Sequence, residues 1–226
     1  ELRLHSKVQL ETNLIKVIFS FGGWFIVLIK KLCRGHVVMN IFVLDENPTT
    51  AAQMLCDRHV PKMIVESGQM LSTAHRMLDG TPERRRSKSG KTMQQYYTFG
   101  DERDNLYYLA VHKYHPCTTW TMASKTNYEW HYTHFHAMAE EYNYRRNKHH
   151  ATFVKIGELL KSPPKNIPDG PLTEFPQAMN HYPQCKVPGN AVEAYRNYYH
   201  EAKPFAKWEW GRQAPDWWRG YQNATV

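Results

Sequence analysis

The chain has 226 residues, 42% hydrophobic and 22% charged, which suits one domain with a core of its own and excludes a disordered or fibrous protein. Its 29 Lys and Arg against 21 Asp and Glu give a formal net charge of +8 before 13 His are counted. Such a balance favours a polyanionic partner, with nucleic acid ahead of a membrane surface.

Cys33, Cys56, Cys117 and Cys185 form no CxxC pair, so a zinc ribbon or thioredoxin motif is excluded, and they read as reduced thiols in a cytosol. Residues 17–29 (VIFSFGGWFIVLI) are a charge-free apolar run. They are too short for a spanning helix, which needs about 20 residues, and no small-residue cleavage site follows them. No membrane anchor is therefore expected. Residues 1–38 read as an N-terminal extension outside the fold, with Met39 as the biological start.

Residues 39–44 (MNIFVL) read as a short strand, ended by DENPT, whose Pro48 suits the first position of a helix. A helical segment follows over 51–76, with a break expected near 57–60 ahead of Pro61. Val60, Ile64, Leu71, Ala74 and Leu78 make one stripe of the 3.6-residue period, with Ser67 and Gly68 where another element can approach closely. His59, Lys62, Glu66, Gln69, Thr73 and Arg76 follow the same steps on another side. From spacing alone, the simpler reading is a solvated face whose Lys62–Glu66 pair at i, i+4 contributes roughly 0.2–0.5 kcal/mol.

Residues 83–91 (ERRRSKSGK) read as a flexible basic loop. Gly90-Lys91-Thr92 is no phosphate loop, because Arg85 stands where that motif needs Gly. Arg84, Arg85, Arg86, Lys88 and Lys91 suit backbone-phosphate contacts, with a merely solvated loop as the alternative. Tyr-rich runs at 92–99 and 106–114 suggest a β-hairpin with a long turn. A second long helix is expected over 125–146, burying Tyr128, Tyr132, Phe135, Ala139 and Tyr142, with His131, His134, Met138, Glu141 and Arg145 on a flanking stripe. The histidines lack an HExxH arrangement, so no metal or other cofactor is expected. Residues 157–188 are Pro-rich and read as irregular surface chain, followed by a short helix over 191–199. From Lys203 the tail sets Phe205, Trp208, Trp210, Trp217 and Trp218 among Lys203, Lys207, Arg212 and Arg219. These rings could stack on unpaired bases, but packing as a lid over the core suits most of them better.

From Met39 onward the chain resembles a widespread group of small phage-encoded proteins. The resemblance rests on MNIFVLDENP, CDRHVPKMIVESGQMLSTAHR, HPCTTW, NYEW…EEYNYR and AYRNYYHEAKPFAKWEWGRQAPDWW. More distantly, it is similar to the phage endonuclease V type of pyrimidine-dimer DNA glycosylase. The features carrying this are Asp57, His59 and Glu66 in an Asp-x-His…Glu spacing, then Glu140-Glu141…Arg145-Arg146 and the aromatic-basic C-terminus. That resemblance implies a mainly helical, α+β domain over 39–226 that binds duplex DNA and extrudes a nucleotide. An amine would attack C1′ and form an imine, while a carboxylate stabilises the sugar cation. The family uses its N-terminal amine. Here the amine would come from Met39 or from Lys62, and Val65 and Gln69 stand where the family has arginines. Glu66 would be the carboxylate, and His59 and Arg76 would orient DNA held by Arg58, Arg84, Arg85, Arg86, Lys88, Lys91, Arg145, Arg146, Lys207 and Trp208. The expectation is a monomeric DNA repair or processing enzyme of the host cytoplasm. Non-catalytic nucleic-acid binding is the alternative, and a protein–protein interaction role a third.

Overall fold

The computed structural model describes residues 40–222. By internal packing the chain divides at Val37/Val38, and the described residues belong to the unit Val38–Val226. The apolar run at 17–29 and Met39 lie outside them. This unit is mainly helical, with seven helices and one two-stranded sheet among the described residues: α1 (Pro48–Met54), α2 (His59–Asp79), β1 (Thr81–Arg86), β2 (Met93–Thr98), α3 (Arg103–Leu106), α4 (Pro116–Ala123), α5 (Lys125–Arg146), α6 (Ala151–Ile156) and α7 (Ala191–Ala202), with a 3-10 turn at Pro183–Cys185.

Local signals set the helix ends. Asn47 accepts hydrogen bonds from the Thr49 and Thr50 amides, with Pro48 at the first position of α1. Ser124 caps α5 through the Asn127 amide, and Asn147 closes it in the left-handed region at φ 50°. Asn190 accepts from the Glu193 amide while its Nδ2 donates to Glu193 Oε2, a reciprocal cap on α7. The expected break separates α1 from α2, and the Asp57 amide there donates to Lys207 O at 2.9 Å.

Helix α2 is the centre of the unit, packed against α4, α5 and α6. The expected apolar stripe is buried, except that Leu78 is partly exposed. The opposite side, however, is not a solvated face: Glu66, Ser67, Ser72, Thr73, His75 and Arg76 are buried as well. Small residues allow this. A Cβ on Gly68 would lie 2.8 Å from Thr152 Cγ2 and 3.0 Å from Ile156 Cδ1 of α6, so α6 sits where only glycine leaves room. On α5, Tyr128, Phe135 and Ala139 are buried as expected, while Tyr132 and Tyr142 are half-exposed. The flanking stripe of His131, His134, Met138, Glu141 and Arg145 is buried throughout.

Two assignments are corrected. Residues 40–44 form no strand, because side chains satisfy their backbone instead of a neighbouring strand. Asn40 Oδ1 accepts from the Ile41 amide at 2.9 Å, His134 Nε2 faces Ile41 O at 3.2 Å, and Arg196 donates to Leu44 O. The hairpin lies one segment earlier than expected. The first part of the basic run lies in strand β1, antiparallel to β2 with Arg84 opposite Gln95 and Arg86 opposite Met93, and 107–114 is irregular. The Pro-rich stretch is irregular as expected, but tied down by Asp79 to the Lys165 and Asn166 amides and by Asn127 Oδ1 to the Thr173 amide.

The buried histidines make the fold acid-sensitive. Burial lowers His75 and His134 to about 4 and His131 to about 3. An unfolded chain binds protons at these positions from about pH 6.5 downward, and the folded chain does not. Stability is therefore complete above about pH 6.5 and falls as pH drops toward 4. Urea unfolding is expected to show a loss of roughly 3–4 kcal/mol between about pH 7 and pH 5.5 from these three groups together. His59, also lowered by burial, adds in the same direction.

Candidate amine and carboxylate site

Glu66 lies one turn beyond Lys62 on α2, beneath the segment that begins at Asn40. It is only 3% exposed. Its Oε2 accepts the Asn40 amide at 3.1 Å. Its Oε1 lies 3.3 Å from Lys62 Nζ, an ion pair outside hydrogen-bond geometry, and among the described residues it accepts no hydrogen bond. Burial pushes the Glu66 carboxyl above the usual range, opposed by the Lys62 charge, the Asn40 amide and the more distant Lys203 charge. Its Oε1 thus has an ion-pair partner but no hydrogen bond, an arrangement that few buried carboxylate oxygens have.

The Asn40 side chain fixes the approach to this carboxylate. Besides the Ile41 amide, its Oδ1 lies 3.9 Å from Cys117 Sγ, and its Nδ2 donates to Ala178 O at 3.2 Å. Phe42 follows with φ 52°, a left-handed conformation that is strained for a bulky residue. Its ring meets those of His59, Tyr195, Tyr198 and Tyr199. Lys203, at the C-terminal cap of α7, extends over the same cluster, with Nζ 4.0 Å from the Tyr198 ring centre and 5.5 Å from that of Phe42. Burial, then the charge of Lys62, brings Lys203 down to about 8. The sequence reading did not single out Lys203 beyond its place in the basic tail.

Of the expected site residues, Lys62 and Glu66 come together, with Lys62 52% exposed. Arg58 is exposed on the same end of α2, its guanidinium 5.6 Å from the Phe205 ring. His59 is not available to DNA. It is 2% exposed, its Nδ1 faces the Tyr199 hydroxyl at 2.5 Å, and burial keeps it neutral. Asp57, in the same Asp-x-His spacing, turns away to Arg145 at 2.9 Å and the Glu209 amide at 2.6 Å.

Two arginines assigned to DNA are corrected to structural roles. Arg76 is 1% exposed and donates to Tyr97, Tyr107 and Tyr108 carbonyls and to Asp104 Oδ1 and O. All five guanidinium donors are used. Arg145 is buried against Asp57, Glu141 and Gln53 O. Trp208 is corrected likewise: half-buried, it donates to Met54 O at 3.1 Å and packs on Tyr199 and Trp218, as part of a lid rather than a free stacking surface.

The remaining basic residues stay on the surface. Arg84, Arg85, Arg86, Lys88 and Lys91 are exposed on the hairpin, with Arg85 4.3 Å from the Tyr96 ring. Arg146 is exposed over the Trp210 ring at 3.4 Å, and Lys207 pairs with Glu209 at 3.1 Å. The hairpin begins beyond the C-terminus of α2, roughly 20 Å along the helix from Glu66 at 1.5 Å per residue. His131, inside α5, faces Thr121 Oγ1 at 2.8 Å and Ser67 Oγ at 3.0 Å. Comparison with known proteins gives no matching family model, no matching curated protein and no matching solved structure.

The two groups of arginines separate by experiment. Arg145→Met leaves Asp57 and part of Glu141 buried without their partner and is expected to cost about 3–5 kcal/mol of stability in chemical denaturation. Replacing Arg84, Arg85 and Arg86 together by Ala is expected to change stability by under about 0.5 kcal/mol per site. If the hairpin holds phosphates, the same change lowers the log–log salt slope of duplex binding by up to about 3.

Proposed function

We propose that the protein is a phage DNA repair or processing enzyme of the glycosylase/AP-lyase type, acting on damaged or modified duplex DNA as a monomer in the host cytoplasm. The observation that carries the proposal is Glu66: buried, its carboxyl raised by that burial, held on one oxygen by the Asn40 amide and facing an ammonium on the other. In this reading the amine attacks C1′ of the damaged nucleotide, the glycosidic bond breaks with its electron pair leaving on the base, and the C1′–O4′ bond then opens with its pair on O4′, the two nitrogen protons passing to the base and to O4′, so that an imine joins enzyme to sugar. Glu66 stabilises the cationic sugar and removes the C2′ proton during β-elimination, in which the 3′-phosphate leaves with the C3′–O electron pair. Lys62 supplies an amine 3.3 Å from that carboxylate. In protein begun at Met39, an α-amine would stand one residue before the amide that already donates to Glu66, and such amines titrate at about 7.7–8.0 against about 10.4 for lysine.

The exposed cations of the hairpin favour a second reading, nucleic-acid binding without chemistry. Borohydride trapping on duplex carrying an abasic site separates the two. The expected result is a covalent protein–DNA adduct, reduced at least about 100-fold in Glu66→Gln, with duplex affinity unchanged. Salt-dependent binding with no adduct, from protein begun at residue 1 or at Met39, rejects the enzyme and leaves the binding module.

A further inference from the structure

Strands β1 and β2 add little to the core of the unit. All of Thr81–Arg86 and the first three residues of β2 are exposed, and a two-stranded hairpin alone is at best marginally stable in water. The structure fixes this one from the side and at its base. Arg76 donates to Tyr97 O at 2.9 Å, Lys113 to Gln95 O at 3.1 Å, and the Phe99 and Gly100 amides to Asp104. Six residue pairs extend from that anchor over roughly 20 Å. They close in a turn where the Gly90 amide donates to Ser87 O, with Gly90 at φ 72°. Arg84, Arg85, Arg86, Lys88 and Lys91 make no ion pair among the described residues.

The register sorts these charges by face, because directly paired and alternate residues share a side. One face carries Arg84 opposite Gln95 and Arg86 opposite Met93, with no carboxylate on either strand. Lys113 lies on that side too, its Nζ 5.2 Å from the Tyr97 ring centre. The other face carries Arg85 opposite Gln94 and Glu83 opposite Tyr96. Arg86 is committed to the turn through Gly90 O at 3.0 Å, and Arg85 lies 4.3 Å from the Tyr96 ring. The Arg84 guanidinium has no partner among the described residues, and Met93 on its face is 52% exposed.

We propose that this hairpin is a two-stranded ribbon that enters the major groove of B-form duplex DNA, where Arg84 and Gln95 contact base edges. The proposal rests on the function proposed above only in taking duplex DNA as the ligand, and it needs no chemistry at Glu66. The charge fits a polyanion, and the shape selects among polyanions. The major groove is about 12 Å wide and admits a ribbon whose strands lie about 4.8 Å apart. Arginine pairs with guanine O6 and N7, glutamine with adenine N6 and N7, and an apolar side chain meets the thymine methyl. Arg84, Gln95 and Met93 bring one of each to a single face. A peptide strand is a poorer occupant, since Pro82 and the arginines of β1 disfavour addition of another strand. Lys88 and Lys91 flank the turn, where they meet phosphates.

The test uses the full-length protein and intact duplex DNA. Repeated selection from duplexes with a randomised core is expected to return a preferred sequence containing a G·C pair, and methylation of that guanine at N7 is expected to block binding. Arg84→Ala and Gln95→Ala each relax the preference at one base pair, by roughly 5- to 150-fold, with thermal unfolding unchanged. Lys88→Ala and Lys91→Ala weaken binding to all sequences alike, each lowering the log–log salt slope by about 1. Selection that returns no preferred sequence overturns the proposal, as does a preference untouched by Arg84→Ala or by N7 methylation. Equal affinity for duplex RNA, whose deep, narrow major groove shuts out a ribbon, overturns it too, and so does binding of an acidic peptide in place of duplex DNA. A base preference lost in Arg84→Ala, with no borohydride adduct, upholds the ribbon and rejects the enzyme. An adduct without base preference does the reverse, so the two proposals fail separately.

Discussion

The structure depends on the burial of a polar helix. Helix α2 is enclosed on nearly all sides, so each polar side chain on it must find its partners inside the protein or carry the cost of desolvation. Arg76 meets that demand with five donated bonds that fasten 97–108 to the helix. Thr73 and His75 do so with Val111 and Tyr128. Glu66 Oε1 and Ser72 Oγ depart from the pattern, making no hydrogen bond among the described residues, and of the two only Glu66 is ionisable, its carboxyl raised by burial and its Oε1 ion-paired with Lys62.

The C-terminal tail extends the same constraint. Arg212 donates to both oxygens of Glu141, the Glu209 amide to Asp57, and Trp208 to Met54 O. With Arg145 bridging Asp57 and Glu141, two acids and two arginines form a closed network between α1, α5 and the tail. That network holds the 55–58 break, and the break sets the direction in which α2 starts. Residues that resembled a DNA-binding surface in sequence therefore position the N-terminal turn of α2, where His59, Lys62 and the ring cluster of Phe42 lie.

What the sequence disclosed follows the range of each signal. The cap at Asn47, the break before α2 and the close approach at Gly68 were readable because each depends on residues a few positions apart. The solvated face of α2 was misread because periodicity finds the apolar stripe but cannot tell whether partners from distant segments cover the other side. The apolar run at 41–44 was misread for a related reason. Burial alone explains its composition, and its carbonyls are taken by His134 and Arg196, which no local pattern announces. The surroundings of Lys203 were unreadable because Phe42, from the far end of the chain, helps to make them. Arg84, Arg85 and Arg86 alternate on a strand whose exposure is complete, so their surface position was legible although their secondary structure was not.

The separation of the basic hairpin from Glu66 constrains any shared ligand. About 20 Å along α2 corresponds to roughly six base pairs at about 3.4 Å each. Under the proposed function, a duplex reaching both places would meet the hairpin well removed from the nucleotide at the carboxylate, so the cations there would add affinity and register without touching the reacting atoms. Around Glu66 itself the positive charge comes from Lys62 and Lys203. Under the proposed function, loss of the hairpin charges would weaken binding, whereas loss of the amine or the carboxylate would leave binding and remove chemistry.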